Sequence, residues 1–255
     1  MTTLLVDIGN TRVKWALARG SRPTRMGAGV HAGDPTGMRA VIARAPAGVD
    51  RVVAVNVAGP RFERALAVAT KTRFGVRPEF VRSSRKAHGV RNGYRDPWRL
   101  GADRWVGIIG ARELARGKAV LVANIGTALT LDAVDANGRH LGGAIAPGPA
   151  FMVESLLKGT HGIRRRARGD VPNGARLFAG NTASAIAAGA RFAAAALIER
   201  AVEESARALG ARPVLLLTGG GAVEIGKRVR VARRVVPDLV LRGLAVFAQG
   251  SAEGI

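Results

Sequence analysis

Residues 5–15 read LVDIGNTRVKW, and residues 122–132 read VANIGTALTLD. Aligned on Ile8-Gly9 and Ile125-Gly126, the two stretches are one pattern: an aliphatic run, a polar turn holding a glycine, and a second apolar run. That pattern predicts a tight β-hairpin each time. A duplicated strand-turn-strand implies two similar domains, with a boundary near residue 117, dividing the chain into 1–117 and 118–255. The copies differ most sharply two residues before the glycine, where the first has Asp7 and the second Asn124.

The rest of the chain fits around these hairpins. In the first half, strands are expected at 3–8 and 12–18, a helix around 36–45, a strand at 51–56, a helix at 60–74 and a short strand near 78–81. The stretch 83–101, SSRKAHGVRNGYRDPWRLG, is polar and rich in turn formers, so it reads as a loop over a surface. A helix from about 102 to 116 follows. The second half begins with strands at 119–124, 127–135 and 139–146, the last two joined at Asn137-Gly138. A helix at about 148–158, a loop rich in Arg, Gly and Pro, a long alanine-rich helix at about 180–209, a buried strand running into TGGGA and a closing helix complete it.

Composition narrows the function classes. Apolar residues are 47% of the 255 and aromatics only 4%, so the core is aliphatic. The absence of cysteine excludes disulfides, thiolate chemistry and Cys-based zinc sites. The four histidines, His31, His88, His140 and His161, are too scattered to suggest a metal cluster. With no leader pattern and no apolar run of about 18 residues, the expected location is the cytoplasm. The net charge of +22 makes a polyanion a candidate partner. Only six of the 40 basic residues are lysine, however, and the arginines are spread along the chain, apart from clusters at Arg164–Arg168 and Arg228–Arg234. These clusters read as solvated faces, or as a means of drawing in an anionic substrate such as ATP.

Four short motifs carry chemistry. In DIGNTR, Gly9 lets backbone N–H groups approach an anion while Asn10 and Thr11 add uncharged donors. Asp7, ending a buried strand, suits holding Mg²⁺ through water. The second turn offers Gly126 and Thr127, with Thr130 and Asp132 further along its strand. In GADRW, residues 101–105, Asp103 is placed to orient or deprotonate a hydroxyl and Arg104 to bind a carboxylate. TGGGA, residues 218–222, serves equally as a close approach for adenosine or as a tightly packed helix start.

Taken in order, the motifs DIGNTRVKWAL, NGYRDPWRLGADRW, NIGTALTLDAVDANGRHLGGAIAPG, AGNTASAIAAG, TGGGA and PDLVLRGL resemble those of the type III pantothenate kinases. That family belongs to the superfamily of acetate and sugar kinases, Hsp70 and actin. The resemblance implies an α/β chain of two similar ribonuclease H-like (actin-like ATPase) domains, each a mixed sheet flanked by helices, with an ATP cleft between them. It implies transfer of the ATP γ-phosphate to pantothenate as the first step of coenzyme A synthesis, with Mg²⁺, a monovalent cation (K⁺ or NH₄⁺) and a homodimer. By position, Asp7, Ile8, Gly9, Asn10, Thr11, Arg12, Val13 and Lys14 form the first phosphate loop, and Gly126 and Thr127 belong to the second. Asp103 matches the proton acceptor, with Gly101, Ala102 and Arg104 around it in the substrate motif. Tyr94 matches an aromatic residue lying along pantothenate, and Thr182 a contact supplied from the partner subunit. Asn124 departs from the pattern, because many members have an Asp ligand for the monovalent cation there. The amide keeps the oxygen and loses the charge.

Two other readings compete with an active pantothenate kinase. One is a catalytically weak relative acting as a transcriptional accessory, DNA-associated regulator, in line with Asn124 and the +22 charge. The other, a kinase of another small alcohol, is disfavoured by GYRDPWRLGADR.

Overall fold

The structure is a computed structural model that describes residues 1–19, 22–167 and 176–250. Its strands are β1 (Thr3–Ile8), β2 (Arg12–Arg19), β3 (Arg22–Val30), β4 (Arg51–Asn56), β5 (Pro78–Phe80), β6 (Lys86–Ala87), β7 (Val90–Arg91), β8 (Val120–Ile125), β9 (Ala128–Val134), β10 (His140–Pro147), β11 (Val214–Thr218) and β12 (Arg234–Val235). Its helices are α1 (Met38–Ala43), α2 (Pro60–Phe74), α3 (Ala102–Ala115), α4 (Pro149–Gly159), α5 (His161–Arg166), α6 (Thr182–Leu209), α7 (Ala222–Gly226) and α8 (Leu239–Gln249). The chain divides into two compact units.

The first unit comprises Met1–Gly117, Ala136–Gly142 and the C-terminal segment from Asp238. Its sheet runs β3-β2-β1-β4-β5, antiparallel across the β1–β2–β3 meander and parallel from β1 to β4 to β5. Every residue of β1 is buried, as expected of a strand covered on both faces. Alternation sends Leu4, Val6 and Ile8 into a core with Met38, Ile42, Phe62 and Leu66 of α1 and α2. The same alternation turns Leu5 and Asp7 to the opposite face, against which α3 and α8 pack.

α3 and α8 meet backbone to backbone. A Cβ at Gly243 would stand 2.0 Å from the Val106 carbonyl oxygen, and one at Gly110 would stand 2.6 Å from that of Leu239. Small residues at both positions therefore let the last helix seat directly on the helix that begins at Ala102. Arg51 of β4 fastens the far end of α8. Its guanidinium makes a two-pronged pair with Glu79 (2.9 and 2.6 Å), and its Nη1 donates to the Ala248 carbonyl at 3.0 Å.

The second unit comprises Lys118–Asp135 and Gly143–Pro237. Its sheet runs β10-β9-β8-β11-β12, with β8–β9 antiparallel and β8–β11–β12 parallel. Position by position this is the order of the first sheet, so the repeat seen in two turns extends to two whole mixed sheets. α6 starts at an Asn181 cap, whose side chain accepts from the Ser184 N–H at 2.8 Å, and stops at Gly210 in the left-handed region. Ala187, Ala194, Ile198 and Val202 of α6 form a helical stripe, from which Ala194, Ile198 and Val202 pack on Leu121, Leu129 and Leu215 of the sheet.

Besides the short strands β6, β7 and β12, two longer elements go beyond the sequence reading. β3, RPTRMGAGV, has two arginines, a proline and two glycines and is mostly exposed; it is a strand because it pairs with β2 at the sheet edge. α5 lies where an irregular loop was expected, and it carries Arg164, Arg165 and Arg166; Arg168 lies outside the described residues.

Candidate active site

The first turn is built by the β1–β2 register. Ile8 pairs with Val13 and Asp7 with Lys14, which leaves Gly9, Asn10, Thr11 and Arg12 at the turn, where the last three side chains are exposed. Gly9 closes it by donating its N–H to the Arg12 carbonyl at 3.0 Å. Asp7 is only 8% exposed. Burial raises its pKa from 3.8 to about 7; Lys14 across the hairpin pulls it down, and the charge of Asp103 pushes it up again. The two carboxylates expected to lie near the chemistry thus sense each other within the first unit.

Asp103 stands in the first turn of α3, where its Oδ1 accepts from the Arg104 N–H at 2.8 Å. A Cβ on Gly101 would come within 2.9 Å of that oxygen, so glycine is the residue that fits beside the carboxylate. Arg104 is 7% exposed, and its Nη1 donates to the Tyr94 hydroxyl at 3.0 Å. Its guanidinium also lies 5.6 Å from the centre of the Tyr94 ring. Tyr94, Gly101, Ala102, Asp103 and Arg104 therefore share one unit, and Tyr94 and Arg104 are in direct contact.

Sequence reasoning missed the residues that hold Tyr94. Asn92, 7% exposed, donates from Nδ2 to the carbonyls of Ser84 and Pro97 (both 3.2 Å) and accepts the Tyr94 N–H at 3.0 Å. One amide thereby staples the loop that looked irregular. His140, 1% exposed, stacks on the Tyr94 ring at 6.0 Å and 12°, and its Nδ1 faces the Gly93 N–H at 3.4 Å. The Asn-Gly-Tyr triplet gave a local signal for Asn92. No local signal existed for His140, which is 46 positions from Tyr94 in the chain.

The second unit holds its own cluster. Gly126 donates to the Ala128 carbonyl at 2.9 Å, Gly148 donates to the Thr127 carbonyl at 2.8 Å, and the Thr127 side chain is exposed. Asn124 pairs in register with Thr130 and with Thr218. The backbone just after Thr218 passes so close that a Cβ at Gly219 would sit 2.5 Å from the Asn124 Oδ1. Gly221 then donates to the Ile125 carbonyl at 2.9 Å, so TGGGA packs onto the second turn and opens α7. Thr182 is the first residue of α6. In the basic stretch 228–234, Arg228 lies over the Phe192 ring at 6.0 Å and Arg233 bonds the Val231 carbonyl at 3.3 Å. Arg228 is thereby tied to α6, while Arg233 is exposed and bonds within its own loop.

The sequence model of the family described as type III pantothenate kinase matches residues 3–204. The chain belongs to the type III pantothenate kinases. A type III pantothenate kinase of Nitrosococcus oceani is 38% identical over 257 residues, covering 98% of this chain and 95% of its own. One from Aromatoleum aromaticum is 41% identical over 249 residues, covering 98% of both. Among solved structures, a conserved putative Baf family transcriptional activator from Campylobacter jejuni aligns with a TM-score of 0.62 at 17% identity, over 96% of this chain and 97% of its own. A putative 2-dehydro-3-deoxygalactonokinase from Sinorhizobium meliloti aligns with a TM-score of 0.61 at 16% identity, over 97% and 98%. At these identities the two structures speak to the fold alone, which is that of the actin-like ATPases and sugar kinases. Membership of the type III pantothenate kinases places the chain among enzymes, and the reading as a transcriptional regulator is not favoured.

Proposed function

We propose that this chain transfers the γ-phosphoryl group of ATP to the primary hydroxyl of pantothenate, giving 4′-phosphopantothenate, the first step of coenzyme A synthesis. The observation that carries the assignment of roles is that Asp7 is buried beside the turn, opposite Lys14, and close enough to Asp103 for that like charge to raise its proton affinity. The Asp7–Lys14 turn binds the polyphosphate, and Asp103 takes the proton of the attacking hydroxyl. Arg104 supplies positive charge for the pantothenate carboxylate, with Tyr94 alongside the chain of the substrate. Gly126 and Thr127 contribute the second phosphate turn.

The donor set suits Mg²⁺. Among the described residues no group of three or more His, Asp or Glu is arranged to hold a metal. Mg²⁺ in phosphoryl-transfer enzymes is commonly held by one or two carboxylates, with substrate phosphates and water completing its shell. Asp7 is the carboxylate for that role, acting through water. When bound with ATP, the ion neutralises charge on the phosphates. Asn124 occupies the monovalent-cation position and offers K⁺ or NH₄⁺ a neutral oxygen.

A homodimer belongs to the same reading, with Thr182 contacting the substrate of the partner subunit. α4 contains Phe151, Met152, Val153, Leu156 and Leu157, yet none of its residues is buried. Met152 and Leu156 line an apolar groove of about 580 Å³ with Ala185, Ile186, Gly189 and Ala193 of α6. An apolar helix left this open suits a second copy of the chain. No described helix is long and apolar enough to cross a membrane, and the proposed place of action is the cytoplasm, with pantothenate and ATP as the partners.

The test of function is ADP release in the presence of pantothenate and Mg²⁺, with and without K⁺ or NH₄⁺. Pantothenate-dependent release is expected. Its absence, together with tight salt-dependent binding to duplex DNA, would move the chain to the regulator class.

A further inference from the structure

His31 follows the last residue of β3 and is 8% exposed. Its backbone N–H donates to the Thr11 carbonyl at 3.0 Å. Its ring makes two more hydrogen bonds: Nδ1 accepts from the Gly33 N–H at 3.1 Å, and Nε2 lies 2.7 Å from the Gly9 carbonyl oxygen. Because Nδ1 already accepts from a backbone donor, the ring hydrogen sits on Nε2 and is given to Gly9. Phe62 of α2 packs on the ring at 4.4 Å. The donor at Gly33 is brought into place by a turn in which Ala32 and Gly33 have φ of 45° and 88°. A single residue therefore holds the carbonyls at both ends of the Gly9–Thr11 turn.

This has a direct geometric consequence. A trans peptide is planar, with its C=O and N–H pointing in opposite directions. Fixing the Gly9 carbonyl towards His31 therefore aims the N–H of Asn10 away from it. Gly9's own N–H is occupied by Arg12, so the donors that the turn offers an anion begin at Asn10.

We propose that His31 is a positioning residue for nucleotide phosphate: it locks the Gly9–Asn10 peptide so that the Asn10 N–H is presented to ATP. The inference rests on reading Gly9–Thr11 as the phosphate turn. Its hydrogen bonds and ring contact among the described residues go to Gly9, Thr11, Gly33, Asp34 and Phe62, so it acts through the turn.

Steady-state kinetics with ATP and pantothenate varied separately tests it, on the full chain. His31→Phe keeps a ring against Phe62 and removes both side-chain hydrogen bonds; His31→Gln restores a donor for Gly9. The Phe variant is expected to raise the KM for ATP about tenfold, the scale of one or two lost hydrogen bonds, while the KM for pantothenate stays within about twofold. The Gln variant recovers most of the loss. Lys14→Met is measured beside them as a probe of the turn that bypasses His31. If Lys14→Met raises the KM for ATP and His31→Phe does not, the positioning role falls and the phosphate-turn reading stands. If neither changes it, both fall. A rise in both KM values together, or a Gln variant that folds but is as impaired as Phe, also overturns the positioning role. Should the Phe variant not fold, His31→Leu, which also removes both side-chain hydrogen bonds, takes its place: an ATP KM raised with pantothenate unaffected supports the role, and an unchanged or jointly raised pair of KM values overturns it.

Discussion

The charge of Asp103, in the first turn of α3, raises the proton affinity of Asp7, at the end of β1. A strand and a helix that are about 95 residues apart in the chain thus bring two carboxylates within electrostatic reach of each other, and in the proposed function one serves the phosphate and the other the acceptor hydroxyl. Replacing Asp103 with Asn keeps the shape and removes the base. Turnover is expected to fall at least about 100-fold, with the KM for ATP little changed, as measured by initial rates. Near-normal turnover would remove Asp103 from this role.

Asp7 gives the ligand-free protein a pH signature. Its folded pKa of about 7 lies above the unfolded value near 3.8, so between those values the native state holds a proton that the unfolded state has released. Stability from this group is complete below about pH 3.8 and is lost as pH rises through 7. Asp7→Asn lacks that loss. In denaturant titrations the variant should be more stable than the parent at pH 8 by up to roughly 4 kcal/mol, with the gap closing towards pH 4, and it should be inactive. Equal pH dependence in the two proteins would show that Asp7 is not buried as described.

Gly243 sets the seat of α3. A methyl group there would meet the Val106 carbonyl, so Gly243→Ala must push α3 and α8 apart. A loss of about 1–3 kcal/mol is expected in thermal or denaturant unfolding. Because α3 carries Asp103 and Arg104, the KM for pantothenate should rise in the same variant. A variant as stable and active as the parent would contradict the close packing.

Asn124 bears on cation dependence. Restoring a carboxylate by Asn124→Asp should lower the K⁺ concentration that gives half-maximal activity, since a full negative charge attracts the ion more strongly than an amide dipole. Titration of activity with KCl at constant ionic strength measures it. No change would mean that position 124 does not face the cation.

Much of this site was legible because its signals are local. The two Ile-Gly turns and β4 are marked by apolar runs beside turn formers, α2 by apolar residues at helical spacing after Gly59-Pro60, and all fall on the expected residues. β3 was hidden because an exposed edge strand takes its conformation from its neighbour. α8 could be read as a helix, but its place against α3 depends on two glycines more than 130 residues apart. Asn92 was one polar residue among many in its loop, and His140 looked like a stray histidine in a second-half strand. Asn92 is next but one to Tyr94 in the chain, but its bonds to Ser84 and Pro97 form only in the folded loop, and only the folded chain brings His140 to Tyr94. His31 was hidden in the same way, since its turn reads as an ordinary His-Ala-Gly-Asp connection.

Phosphoryl transfer to pantothenate can be followed by ³¹P NMR of a reaction containing the protein, ATP, Mg²⁺ and pantothenate. The γ-phosphate signal should disappear as ADP and one new phosphomonoester signal, that of 4′-phosphopantothenate, grow in equal amounts. Unchanged ATP, or inorganic phosphate as the only new species, would contradict it.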